Sequence, residues 1–173
     1  GFQNYNSLPA FQNAMQSDRI LYTFDYTRNR EDVDNGFNHG LRTLSIIAAD
    51  DQDILGGAPA AQYFLAVTEA QGAYRVEEYN WLFAAEKADS AGVDVINTSL
   101  GYSDNFNDDS MNYAVEDMDG QTAVVTKAAN LAAERGIVLV TSAGNSGAAP
   151  WRIISAPADS EQVIAVGAIA QNT

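Results

Sequence analysis

A chain of 173 residues can bury a core, and 46% hydrophobic residues with 18% charged exclude a disordered polymer. The 23 acidic and 9 basic residues give a formal charge of -14, which excludes nucleic acid and anionic membranes as default partners. Cysteine is absent, so disulfides, thiolate metal sites and a Cys nucleophile are ruled out. No apolar run reaches the roughly 20 residues that span a bilayer.

In chain order, "ILYTFDYT" (20–27) predicts a strand and "HGLRTLSIIAAD" (39–50) a helix. "YFLAVTE" (63–69) predicts a second strand. "VEEYNWLFAAEKADSAG" (76–92) follows as a helix with Tyr79, Leu82, Phe83, Ala85 and Glu86 at helical spacing and Gly92 as its stop. "VDVINTSL" (93–100) is a third strand. The polar "DMDGQT" then opens a third helix, "TAVVTKAANLAAERG" (122–136). "GIVLVTSA" (136–143) and "VIAVGAI" (163–169) complete the strands. Several strands are apolar on both faces, as in a parallel sheet covered on both sides. Strand–helix–strand alternation predicts an α/β fold, whose sites form at the carboxyl ends of strands.

Two polar stretches, 103–112 and 49–57, read as solvated loops. The first fits a calcium loop poorly, with Ser110 in place of the turn Gly and Asn105 where Asp is usual. His39, the only histidine, stands at a loop-to-helix junction. A neutral imidazole held rigidly there can take a proton from a reacting group, although a lone His also serves structure. At the end of the fourth strand, "SAGNSGA" nearly completes a nucleophile elbow at Ser146, but Pro150 and Pro157 oppose the helix that an elbow needs. Asn145, flanked by glycine, could aim amide donors at a developing negative charge, and it equally suits a strained turn. Dinucleotide, phosphate-loop and zinc-helix signatures are missing.

Four stretches taken in order resemble the subtilisin-like serine proteases, the subtilases. "NHGLRTLS" is similar to the family's H-G-T-x-V-A-G, "GGAPAA" (56–61) to G-V-A-P-x-A, and "DVINTSLG" (94–101) to D-V-I-N-M-S-L-G. "SAGNSG" followed by "APADSEQVIAVGAI" is similar to A-A-G-N-x-G, then Y-P-A, then V-I-A-V-G-A. The resemblance runs from about Leu21 to Ile169. It implies a three-layer α/β/α fold with a mainly parallel sheet. His39 would be the general base of a Ser-His-Asp triad and Asn145 an oxyanion donor. Ser99, Leu100 and Gly101 would pair with the substrate backbone as an added strand. Ser142, Ala143 and Gly144 would wall the primary specificity pocket. The implied partner is a peptide or protein substrate, the implied setting secretion or the cell surface, and no cofactor is required.

The departures set further expectations. Leu41 and Ser45 replace the family's Thr and final Gly, and neither G-T-S-[MA] nor the D-[ST]-G strand occurs in the sequence. "GFQNYNSLP" resembles the tail of a D-x-G-F version, with no Met or signal peptide before it. Residues 1–173 are therefore expected to be a partial catalytic domain. The Asp strand would precede residue 1 and the Ser helix would follow residue 173. Such a segment would be inactive alone, and the gap in its sheet would be closed by strand rearrangement, by association with another copy, or by retention of the remaining pieces. A non-catalytic peptide-binding module on the same fold is the alternative, and an unrelated α/β binding domain a second one.

Overall fold

The computed structural model describes residues 1–169. The elements run α1 (Gln12–Gln16), β1 (Ile20–Asp25), α2 (His39–Ala48), β2 (Tyr63–Val67), α3 (Val76–Ala91), β3 (Val95–Thr98), α4 (Val124–Glu134), β4 (Val138–Ser142) and β5 (Ile164–Val166). All five expected strands and three expected helices form. Each strand is shorter than its sequence run, because the runs continue into the loops that leave the sheet. α1 is not anticipated, since five residues are too few to establish a period. No helix among the described residues is long and apolar enough to cross a membrane.

The chain forms two compact units, Gly1–Glu69 and the part from Ala70 onward. In the first, β1 and β2 pair in parallel. Alternate residues Tyr63, Leu65 and Val67 point into a core shared with Leu44 and Ala48 of α2, Phe11 and Ala14 near α1, and Phe2 and Val33. Strand alternation supplies one face of this core and the helical repeat the other. At the end of β1, the buried Asp25 carboxylate accepts from the N–H groups of Thr27 and Arg28 and pairs with the Arg28 guanidinium at 2.7 Å.

In the second unit, β3, β4 and β5 form a parallel sheet in that order. α3 and α4 lie against one face, where Trp81, Ala85, Ala128, Ala129 and Ala132 join Leu139 and Ile137 in the core. The Trp81 indole N–H donates to Thr98 Oγ1 at 3.1 Å, fixing α3 to β3. The buried side of α3 is Glu77, Glu78, Trp81, Ala84, Ala85 and Ala88, whereas Tyr79 and Phe83 face outward. Trp81 outweighs them by burying the largest apolar surface. On the opposite face of this sheet, Val95, Val138, Ile164 and Val166 are exposed, and the parallel strands with their helices agree with the expected α/β/α fold.

Small residues let α3 and α4 approach closely. Ala129 has no exposed surface, so Ala129→Leu is expected to cost about 1–3 kcal/mol through overpacking. Denaturant titration of the full-length protein should show a lower midpoint at unchanged slope. An unshifted midpoint would mean that this interface has room to spare.

The start of α4 is built differently from its sequence reading. Ala123 caps the helix without a side-chain bond, and the polar stretch before it forms a separate turn. There Asp119 accepts from Gln121 N–H at 2.8 Å and from Thr122 N–H at 2.7 Å and hydroxyl at 2.9 Å. These donors, the Gln121 N–H foremost, hold the Asp119 carboxyl below its ordinary range. The orphan Val125 N–H is met from another helix, by Glu78 at 3.0 Å.

Candidate active site

The second unit opens a cleft of about 150 Å3 at the carboxyl ends of β3 and β4. The β3–β4 ladder ends at Thr98 and Thr141. Beyond it, Ser99, Leu100 and Gly101 form one wall, and Ser142, Gly144 and Asn145 the other. The sequence reading thus placed six residues that the fold brings together. Ala143, between Ser142 and Gly144, donates its N–H to the Val166 carbonyl at 2.9 Å and anchors the wall to β5 without lining the cleft.

Ser155 is the residue that sequence reasoning missed. It is buried in the cleft lining, between the two walls. A Cβ on Gly101 would come within 2.2 Å of Ser155 Oγ, and one on Gly144 within 2.8 Å. Gly144 also takes a φ of +97°, which other residues rarely adopt. Ser155 Oγ thus occupies the space beside both motif glycines, and the positive φ separately restricts position 144 to glycine. Tyr102 and Ala156 exchange backbone hydrogen bonds of 2.9 and 3.0 Å, locking the Ser155 segment to the strand exit. The only sequence signal for Ser155 is its place immediately before the Ala-Pro of the last motif.

Ser103, Asn105 and Ser146 also line the cleft. The loop 103–112 is more than a solvated one, because Phe106 is buried, stacks on Tyr102 and meets Tyr113 edge to face. Ser146 begins a single 3₁₀ turn, Ser146–Ala148, and not the α-helix that a nucleophile elbow requires. Asn145 caps that turn, is exposed to the cleft, and makes no side-chain cap bond. Its amide is therefore presented outward, where it can donate to an oxygen with developing charge. None of the ten lining residues is charged, so the cleft is polar and neutral.

His39 stands in the first unit as the first residue of α2, exposed at the helix start. Its neighbour Gly40 lies against the beginning of the chain. A Cβ there would sit 2.8 Å from the Gly1 carbonyl oxygen and 3.1 Å from the Phe2 ring. The Gly1 carbonyl accepts from Leu41 N–H at 3.1 Å, while Phe2 and Gln3 donate to Val33 and Phe37 carbonyls, each at 3.1 Å. Residues 1–3 are thus strapped across the start of the His39 helix. Leu41 packs against the core of this unit, and Ser45 Oγ returns a bond to the Arg42 carbonyl at 2.8 Å.

Carboxylates near these segments are used locally. Asp108 accepts from both the N–H and hydroxyl of Ser110, and the hydroxyl foremost lowers its carboxyl below the ordinary range. Among the described residues, no group of three or more His, Asp or Glu side chains converges as a metal site would.

A family model described as the subtilase family matches residues 3–173. Subtilisin Savinase of Lederbergia lenta is 33% identical over 141 residues, which is 80% of this chain and 45% of the relative. Subtilisin DY of Bacillus licheniformis is 34% identical over 143 residues, with the same two shares of 80% and 45%. Among solved structures, the prenylagaramide maturation protease PagA superposes with a TM-score of 0.57 at 25% identity, over 77% of this chain and 43% of its own. MycP1 with its N-terminal propeptide removed superposes at 0.62 with 20% identity, over 87% and 52%, a likeness of fold. The chain spans less than half the length of the curated relatives it matches.

Proposed function

The chain belongs to the subtilase family, and on that premise we propose that it is the central part of the catalytic domain of a serine endopeptidase. The observation that carries this reading is the single cleft lined by Asn145, Ser99–Gly101, Ser142 and Gly144. A peptide laid along Ser99–Gly101 continues the β3 edge and places a carbonyl where the Asn145 amide can donate. His39 takes the proton of a serine hydroxyl and returns it to the leaving amine. That serine and the triad Asp belong to the parent outside these 173 residues, since the sequence holds no G-T-S motif. The strap of residues 1–3 over the start of α2 supports an Asp-bearing segment next to His39. The segment alone then lacks acyl-transfer activity, and it associates with the rest of the domain or with another copy. Peptide or protein is the substrate, no cofactor enters the chemistry, and secretion or the cell surface is the setting that goes with this family reading.

A fluorophosphonate reagent, which an activated serine attacks at phosphorus with loss of fluoride to leave a phosphonylated serine, tests the reading. Stoichiometric labelling of the full-length protein, with none on residues 1–173 alone, is the expected result. A full-length protein that stays unlabelled yet binds peptide would replace the enzyme by a non-catalytic peptide-binding module.

Ser155, at the base of the cleft, is expected to limit the side chain that enters. Ser155→Gly should raise kcat/KM for peptides with Phe or Leu before the scissile bond, relative to Ala, by about tenfold. Identical preference in the variant would remove Ser155 from the pocket floor.

A further inference from the structure

α3 carries two consecutive carboxylates, Glu77 and Glu78, with no exposed surface. Charged groups persist in such surroundings only when donors or cations meet them. Glu77 accepts from the N–H groups of Ala70 at 2.8 Å and Tyr74 at 3.0 Å, which closes the loop leading into α3. Glu78 points elsewhere. It accepts from the Tyr113 hydroxyl, 2.9 Å from each carboxylate oxygen, as well as from Val125 N–H, and the Arg75 guanidinium lies 3.6 Å away. Burial pushes the Glu78 carboxyl up, and these partners oppose it.

Two of these partners, Arg75 and Tyr113, hold the loop that borders the cleft. The Arg75 guanidinium lies 3.5 Å from the centre of the Tyr113 ring and donates Nε–H to the Met111 carbonyl at 2.6 Å. Tyr113 donates its own N–H to the Ser103 carbonyl at 3.0 Å, closing the loop 103–113 at its base. Within that loop, Asn112 accepts from Phe106 N–H at 2.9 Å. Ser103 and Asn105 are the part of the loop that lines the cleft. One residue, Tyr113, therefore separates a buried carboxylate from the groove wall.

We infer that Glu78 is a positioning residue for peptide binding, holding through Tyr113 the loop whose Ser103 and Asn105 complete the cleft; this rests on the reading of that cleft as the substrate groove. The carboxylate form is required by its neighbours. Two oxygens serve the Tyr113 hydroxyl and the Val125 N–H, and the negative charge keeps Arg75 stacked on the ring. A glutamine offers one acceptor and a donor, and it leaves the guanidinium without its counter-charge.

The test is steady-state kinetics on the full-length protein with a long peptide that reaches Ser103 and Asn105, and with a short amide that stops before them. Glu78→Gln is expected to raise KM for the long peptide by about tenfold, the factor set by one lost charge-assisted hydrogen bond. Its kcat, and KM for the short amide, should hold. Tyr113→Phe keeps the ring and loses the hydroxyl, so it should show the same split, and it decides the matter if Glu78→Gln fails to fold. A lowered melting temperature with KM for the long peptide unchanged would make Glu78 structural only and overturn the inference. If Asn145→Ala also leaves hydrolysis of both substrates untouched, the reading of the cleft falls with it.

Discussion

Replacing His39 by alanine in the full-length protein is expected to abolish peptide hydrolysis while leaving the fold intact. The imidazole is exposed at the first position of α2. Its loss removes no core packing, because α2 is held to its unit by Leu44 and Ala48. In the proposed triad His39 is the base, and its removal would leave the serine hydroxyl protonated and the leaving amine without a proton donor. The size of the fall is borrowed from subtilisin itself, in which loss of the triad histidine costs about 2 × 10⁶ in kcat. Initial rates with a chromogenic peptide, read beside circular dichroism, check the prediction. Native-like spectra with undiminished turnover would remove His39 from the chemistry and the triad reading with it.

Asn145→Ala should lower kcat and leave KM and melting temperature close to those of the parent. The amide forms no cap bond with the turn it begins, so truncation strands no partner. As the proposed oxyanion donor it would bind more strongly only as the carbonyl oxygen gains charge, which places the expected loss in the transition state. The expected factor is again subtilisin's own, about 10²–10³ in kcat for one oxyanion donor. Asn145→Asp is the sharper probe, since it keeps the shape and sets a negative charge against the developing one. It should be at least as damaging as alanine. A change confined to KM in either variant would make Asn145 a binding residue.

Much of this architecture is legible in the sequence. The five strands are short runs of Val, Ile and aromatic residues, and α2, α3 and α4 are long enough for their period to register. The cleft walls follow from the strand ends, because Ser99 and Asn145 each stand just past a strand whose direction the parallel topology dictates. Other features are decided in three dimensions. The pair Glu77–Glu78 stands outside the helical stripe of the sequence, and both are buried against donors from residues 70, 74, 113 and 125. Phe106 sits in a stretch that reads as polar, and only the aromatic side chains around it make it core.

The parallel α/β layout and the positions of His39 and Asn145 follow from local periodicity and from motifs of adjacent residues. Contacts between distant segments add Ser155 and the loop 103–113 to the cleft. Ser155 meets Gly101 and Gly144 across 54 and 11 residues of chain, as the numbering shows. Glu78 reaches Tyr113 across 35. Contacts of that separation leave no period and no motif, because they are set by packing density and by the need to satisfy buried polar groups once the helices and strands have come together.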